Sequence, residues 1–197
     1  MVYSFIVQDS GIKYDGLEPY MFPGNHECPE DWCDNLINRA RPFWGEELNN
    51  VYSPVALAYL ATHDPVYAVN FLCQMSEDLS FKVFVGNEYI NDELLNLLFG
   101  KVVRINTPAK NAYDKINEIH LTAKPVISRD YTLIITAMGC SGRVLQKRLW
   151  YEYDNVFLFD FGSLMDALCG WNTRAWIELT KFNHIEFLNK LKWQTYH

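Results

Sequence analysis

The stretch TLIITAMGCSGRVLQKRLW, residues 132–150, holds the residue types from which an anion-binding turn is built. An apolar run stops at Gly139-Cys140-Ser141-Gly142 and resumes as an amphipathic, cationic helix. At such a helix start, N–H groups near Ser141, Gly142 and Arg143 would point outward. The helix dipole adds partial positive charge there, and the combination favours phosphate oxygens. Gly139 and Gly142 allow close backbone approach, and Ser141 has the chemistry of an N-cap. Taken alone, these residues fit an ordinary tight strand-to-helix turn equally well.

Two other stretches carry comparable chemistry. In NTPAKNAY, residues 106–113, Pro108 shapes the loop and Lys110 supplies a mobile cation. Asn111 is both an amide donor and an N-cap for AYDKINEIH, and Tyr113 offers a face on which a base can stack. In VFLFDFGS, Asp160 ends an apolar run ahead of Phe161-Gly162-Ser163. A carboxylate there can act as a base or bind a sugar hydroxyl, and it can equally cap the segment SLMDAL. The Asp-Phe-Gly triplet has neither the Gly-rich ATP loop nor the catalytic loop of a protein kinase, so that activity is excluded. Asp9, Glu27 and His26 are further groups able to take a proton, and His63-Asp64 before Pro65 reads as a helix terminus.

These residues need a frame to position them. Apolar runs at 2–8, 81–86, 101–105, 131–138 and 155–162 read as strands. Helical spacing falls between them: at 29–40, from Pro54 to about Leu79 with a break at Pro65, at 91–99, and after Asn111 through about Ala123. Residues 12–29 read as a long loop, and the tail from Trp176 to Leu191 as one closing helix. Strands alternating with helical segments predict βαβ units. Near-continuous apolar strands predict a sheet covered on both faces. The expected fold is α/β, a Rossmann-like, mostly parallel sheet with flanking helices and a helical N-terminal portion. The expected organisation is one domain over 1–197, with 1–80 on the acceptor and metal side and 81–197 binding nucleotide. In such sheets ligands sit beyond the carboxyl ends of the strands, which places the three motif loops together.

Composition narrows the partners. The net charge of −7 and the absence of a dense basic run argue against a nucleic-acid polymer. MVYSFIVQDSG lacks the basic start of a signal peptide. No segment reaches the roughly 18 apolar residues of a membrane span. Five scattered cysteines fit reduced thiols in a cytoplasmic setting. Cys28 and Cys33 lack the second pair that a zinc site needs. Six Trp, twelve Tyr and twelve Phe suit a core, and also a groove that holds sugars or bases; Trp32, Trp44 and Tyr20 could stack on a sugar.

Read in series, KVVRINTPAKNAYDKINEI, TLIITAMGCSGRVLQKRL and VFLFDFGSLMDAL resemble the C-terminal half of the GT-D type glycosyltransferases. That family follows a strand with "P-x-x-N-A-[YF]", a second with "[AS]-x-G-x-[AST]-x-x-x-[LA]" and a third with "D-x-G-[HS]". The matching residues are Pro108 to Tyr113, Ala137 to Leu145 and Asp160 to Ser163, and FKVFVGNEYI resembles the strand before them. The resemblance spans residues 81–176. It implies transfer of a sugar from a nucleotide sugar, with UDP-sugars favoured, to a glycan hydroxyl. Pro108, Lys110, Asn111, Tyr113, Gly139, Ser141, Gly142, Arg143, Gly162 and Ser163 would contact the donor, and Asp9 or Asp160 would act as base. It also implies Mn²⁺ or Mg²⁺ and no organic cofactor. The family's acidic metal motif, similar to "F-G-D-G-E", is incomplete here: SFIVQDSG offers Asp9 without the following Glu, and Glu27 lies out of register. Without a metal, Lys110 or Arg143 would have to offset the diphosphate charge.

Two other functions share this scaffold. A non-catalytic nucleotide- or glycan-binding module would explain the incomplete acidic motif. MGCSG also resembles the cofactor loop of S-adenosylmethionine-dependent methyltransferases, although that loop follows the first strand of its sheet and is followed by several more.

Overall fold

The computed structural model describes residues 3–4, 51–52, 56–127 and 130–196. Strand β1 (Tyr3–Ser4) pairs in parallel with β2 (Val51–Tyr52). The main sheet is built from β3 (Phe81–Asn87), β4 (Val103–Thr107), β5 (Thr132–Ala137) and β6 (Val156–Asp160). All four are parallel, in the order β4-β3-β5-β6. The helices are α1 (Ala56–His63), α2 (Pro65–Glu77), α3 (Asp92–Phe99), α4 (Ile116–Ala123), α5 (Cys140–Glu152), α6 (Leu164–Leu168), α7 (Ala175–Leu179) and α8 (His184–Tyr196). This is the expected Rossmann-like α/β sheet. The 29–40 helix, the 12–29 loop and most of the 2–8 strand lie outside the described residues.

Alternation along each strand divides the core in two. Val83, Val85, Ile105, Ile134 and Val156 pack with Ile116, Ile119, Leu145 and Leu149 of α4 and α5. Phe84 and Ile135 point the other way, into a core with Leu72, Leu95, Leu98, Leu164 and Leu191. Each fully buried side chain of this size contributes about 1.5–3 kcal/mol. Both faces of the sheet are therefore covered.

Local chemistry sets the helix ends. Asp64 accepts from Tyr67 N at 3.1 Å and Pro65 occupies the first position of α2, so the proline break is a helix start. Asn91 caps α3 by accepting from Glu93 N at 2.6 Å. At the opposite end of the sheet Lys82, only 2% exposed, donates to Phe99 O at 2.9 Å and to Asp78 O. These carbonyls end α3 and follow α2, so one buried ammonium serves two helix C-termini.

Two expected boundaries change. Strand β4 runs on through Asn106 and Thr107, which leaves a shorter loop from Pro108 to Asn111. The single closing helix is two, α7 and α8, separated by Lys181 in the left-handed region at φ 51. Asn183 starts α8 by accepting from Glu186 N at 3.2 Å. No helix among the described residues is long and apolar enough to cross a membrane.

Candidate functional site

Strand order creates the site. From β3 the chain passes through α3 to β4 on one side, then returns past β3 through α4 to β5 on the other. Right-handed crossovers in opposite directions put α3 on one face of the sheet and α4 and α5 on the other. The winding thus reverses between β3 and β5, the place where open α/β sheets form their ligand crevice beyond the carboxyl ends. Registers align those ends: Asn87 opposes Thr107, Gly86 opposes Ala137, and Thr136 opposes Asp160.

Leaving β5, the chain turns at Gly139, whose φ of 59° and ψ of −144° belong to glycine. A Cβ built there would meet nothing within 4 Å, so the turn faces open space. Gly139, not Ser141, is the N-cap, and α5 begins with no side-chain cap and no acidic residue in its first turn. Ser141 lies inside that turn, which corrects its expected capping role. Gly142 N donates to Gly139 O at 3.0 Å, so this N–H is spent within the turn. Forward-pointing donors belong instead to the first residues, Cys140 and Ser141.

Gly142 has a packing role. A Cβ on it would lie 2.9 Å from Thr136 Oγ1 and 3.1 Å from Met138 Cγ. Thr136 Oγ1 also accepts from Gln146 Nε2 at 2.9 Å, which fixes α5 against β5. Gly142→Ala is therefore expected to lose about 1–3 kcal/mol by overpacking, against the usual gain of about 0.5–1 kcal/mol for this change within a helix. A lowered midpoint on thermal unfolding checks it; a raised midpoint would mean α5 can move outward without cost.

Asp160 ends β6 beside this helix start. Its Oδ1 accepts from Gly162 N at 3.1 Å and its Oδ2 lies 3.4 Å from Arg143 Nε. The carboxylate therefore closes a turn on Gly162 and meets α5, where the sequence also allowed a cap on α6. Its side chain is 15% exposed, that of Arg143 46%. Burial raises the Asp160 carboxyl above its ordinary value, and the Arg143 charge and Gly162 N–H offset part of this. Phe161 N extends the sheet by donating to Thr136 O at 2.9 Å. Ser163, expected at the donor, accepts from Trp176 Nε1 at 2.8 Å and so anchors a buried indole.

The loop from Pro108 to Tyr113 lies at the same end of the sheet, on the edge strand. Strand β3 separates it from the Gly139 turn, a gap of two strand spacings, or about 10 Å. Lys110 and Asn111 are exposed, and Tyr113 is 59% exposed. Asn111 holds the N-cap position of the 3₁₀ turn Ala112–Lys115 in the left-handed conformation, φ 55° and ψ 37°. Its amide makes no capping bond, which corrects the expected cap. Thr107 Oγ1, just before this loop, is buried without a hydrogen-bond partner.

One wall of the crevice was missed in the sequence: the end of β3 and the turn after it, Gly86-Asn87-Glu88-Tyr89. Arg104 holds this turn, donating from Nη2 to Asn87 O at 3.1 Å and to Glu88 O at 2.7 Å while Nη1 pairs with Asp92. Its signal was positional: the turn of the strand on which the winding reverses. With one glycine in this turn, and GCSG following the third described strand of the sheet, the arrangement weighs against a methyltransferase cofactor loop.

Asp9 and Glu27 lie outside the described residues. Among the described residues no three His, Cys, Asp or Glu side chains converge to hold a metal ion. Those residues do not fit Mn²⁺ or Mg²⁺ by themselves, so the described site is read through its own side chains. Compared with known proteins, the chain matches no family model, no curated protein and no solved structure.

Proposed function

We propose that the chain is a glycosyltransferase that moves a sugar from a nucleotide sugar, with UDP-sugars favoured, to a glycan hydroxyl. The observation that carries this reading is the partly buried Asp160 carboxylate paired with Arg143 at the uncapped start of α5. A base and a diphosphate-binding helix end thus stand side by side at the carboxyl end of the sheet. The Pro108–Tyr113 loop supports it with the exposed Tyr113 ring, and the preceding Thr107 hydroxyl is buried and unpartnered.

In the transfer Asp160 accepts the proton of the acceptor hydroxyl as that oxygen bonds to the anomeric carbon. The bond from that carbon to the diphosphate oxygen breaks, and the nucleoside diphosphate leaves with the electron pair. Cys140 and Ser141 N–H, the helix dipole and Arg143 offset the charge on the departing phosphate. The two halves are coupled: Arg143 moderates the Asp160 charge. When the guanidinium turns to phosphate, the carboxylate loses that moderation and becomes the stronger base.

UDP is expected to raise the unfolding midpoint by several degrees. Ligand at a hundredfold over Kd adds about 2.7 kcal/mol, and each kcal/mol moves a domain of this size by about 2–4 °C. Arg143→Ala is expected to weaken UDP about tenfold to a hundredfold, the loss of one charge-assisted bond. Release of UDP from a UDP-sugar separates an enzyme from a binding module. Stabilisation by S-adenosylmethionine and by no nucleoside diphosphate would overturn the proposal.

A further inference from the structure

A second cleft, about 560 Å³, lies on the α3 face of the sheet, between α3, the end of α6 and α8. It falls within the size range of small-molecule sites. The Arg104-held turn forms its rim, because Tyr89 lines the cleft and directly follows the two carbonyls that Arg104 binds. The turn is fixed twice more: Tyr89 N donates to Asn87 Oδ1 at 3.0 Å, and Ile90 N to Asn87 O at 3.1 Å. Buried Ile90 anchors it, yet the Tyr89 side chain is 70% exposed. A rigid backbone therefore holds an aromatic face out toward the cleft.

Trp171 lines the same cleft, and Asn96 and His184 add amide and imidazole groups to it. His184 is braced on Gly170, where a Cβ would come within 3.0 Å of its Nε2. Glu93 and Lys192 bring one charge of each sign. Cys169 adds no charge, since burial and then Asp166 push its thiol up to about 11. Two aromatic faces, planar polar groups and balanced charge suit a ligand that is apolar on its ring faces and hydroxylated at its edges.

We infer that this cleft binds a neutral, pyranose-containing glycan. The inference rests on the transferase reading only for the glycan's role as acceptor. It places the acceptor on the C-terminal half, against the expectation that residues 1–80 form the acceptor side.

Saturation-transfer NMR with the full chain tests it, using chitotriose, maltotriose and xylotriose as neutral probes and sialyllactose and a heparin tetrasaccharide as charged ones. At least one neutral probe is expected to show transfer, falling about fivefold or more in Tyr89→Ala and Asn96→Ala. Tyr151→Ala, 76% exposed on α5 and outside the cleft, is expected to match wild type. The inference is overturned by transfer to no neutral probe, by a preference for the charged probes, or by signals that the two cleft variants leave unchanged. UDP stabilisation of the same samples separates the two readings. Neutral-glycan binding through Tyr89 without a UDP response upholds the cleft and removes the transferase.

Discussion

Asp160→Asn is expected to cut sugar transfer by about 10²–10⁴-fold, the usual contribution of a positioned base, while raising the unfolding midpoint. The two effects have opposite signs because the carboxylate is held at a cost. Burial raises the carboxyl above its ordinary value, so ionised Asp160 disfavours the fold. Asn keeps an oxygen for Gly162 N–H and removes the buried charge. What it gives up is a pairing with a half-exposed Arg143, and pairs of that kind contribute little. The pH dependence follows from the direction of the shift. Below the ordinary carboxylate value both folded and unfolded chains are protonated and the contribution of Asp160 is fully present. Between that value and the raised folded one, the unfolded chain ionises first, so stability falls as pH rises, then levels off. Asp160→Asn should erase this fall. Turnover assays and denaturant melts across acidic to neutral pH read both effects. A variant that loses stability would make Asp160 a structural cap, and a folded variant with unchanged turnover would remove it as the base.

Phe161→Ala is expected to cost about 3–5 kcal/mol, a drop of about 6–20 °C in midpoint. Phe161 is 3% exposed and meets Phe99 edge to face at 5.1 Å. Phe99 in turn stacks on Phe84 at 5.9 Å. The residue after the proposed base thus extends an aromatic column that joins β3, α3 and β6. Its amide also holds Thr136 O. Truncation should leave a cavity and let Asp160 drift from Arg143, so turnover should fall even at temperatures where the variant is folded. Phe161→Leu, which keeps most of the volume, should recover most of both losses. Circular-dichroism melts paired with turnover at low temperature check this; full activity in folded Phe161→Ala would show that Asp160 holds its place without the column.

What was legible in the sequence was local. Val83 to Val85, Ile134 to Thr136 and Val156 to Phe159 read as strands because each run is apolar or β-branched throughout, as strands covered on both faces require. The left-handed turn at Gly139 was visible in its glycine. The order β4-β3-β5-β6 was not, because no residue marks on which side of β3 the next strand will pair. Without that order the turn at Gly86 to Tyr89 looked like a plain strand exit, although the reversal of winding makes it a wall of the crevice. The break between α7 and α8 did have a signal, Asn183 with Glu186 three residues later, a capping pattern. It was outweighed by apolar spacing that continues through Phe182 and Phe187. Ser163 read as a ligand-facing hydroxyl since its partner, Trp176, lies thirteen residues on and belongs to another element. The second cleft had no local trace: Tyr89 and Trp171 lie far apart in the sequence and come to line one cleft only once the chain has folded.

The sheet also acts as a partition. The Gly139 turn and Arg143 belong to the layer of α4 and α5, and the cleft rimmed by Tyr89 to the layer of α3, α6 and α8; the two cores share no side chain. Substitutions within one core therefore act on the other only through the strands that both share. On the proposed reading, the acceptor cleft could change over generations while the donor turn is kept, since the two draw on different faces of one sheet.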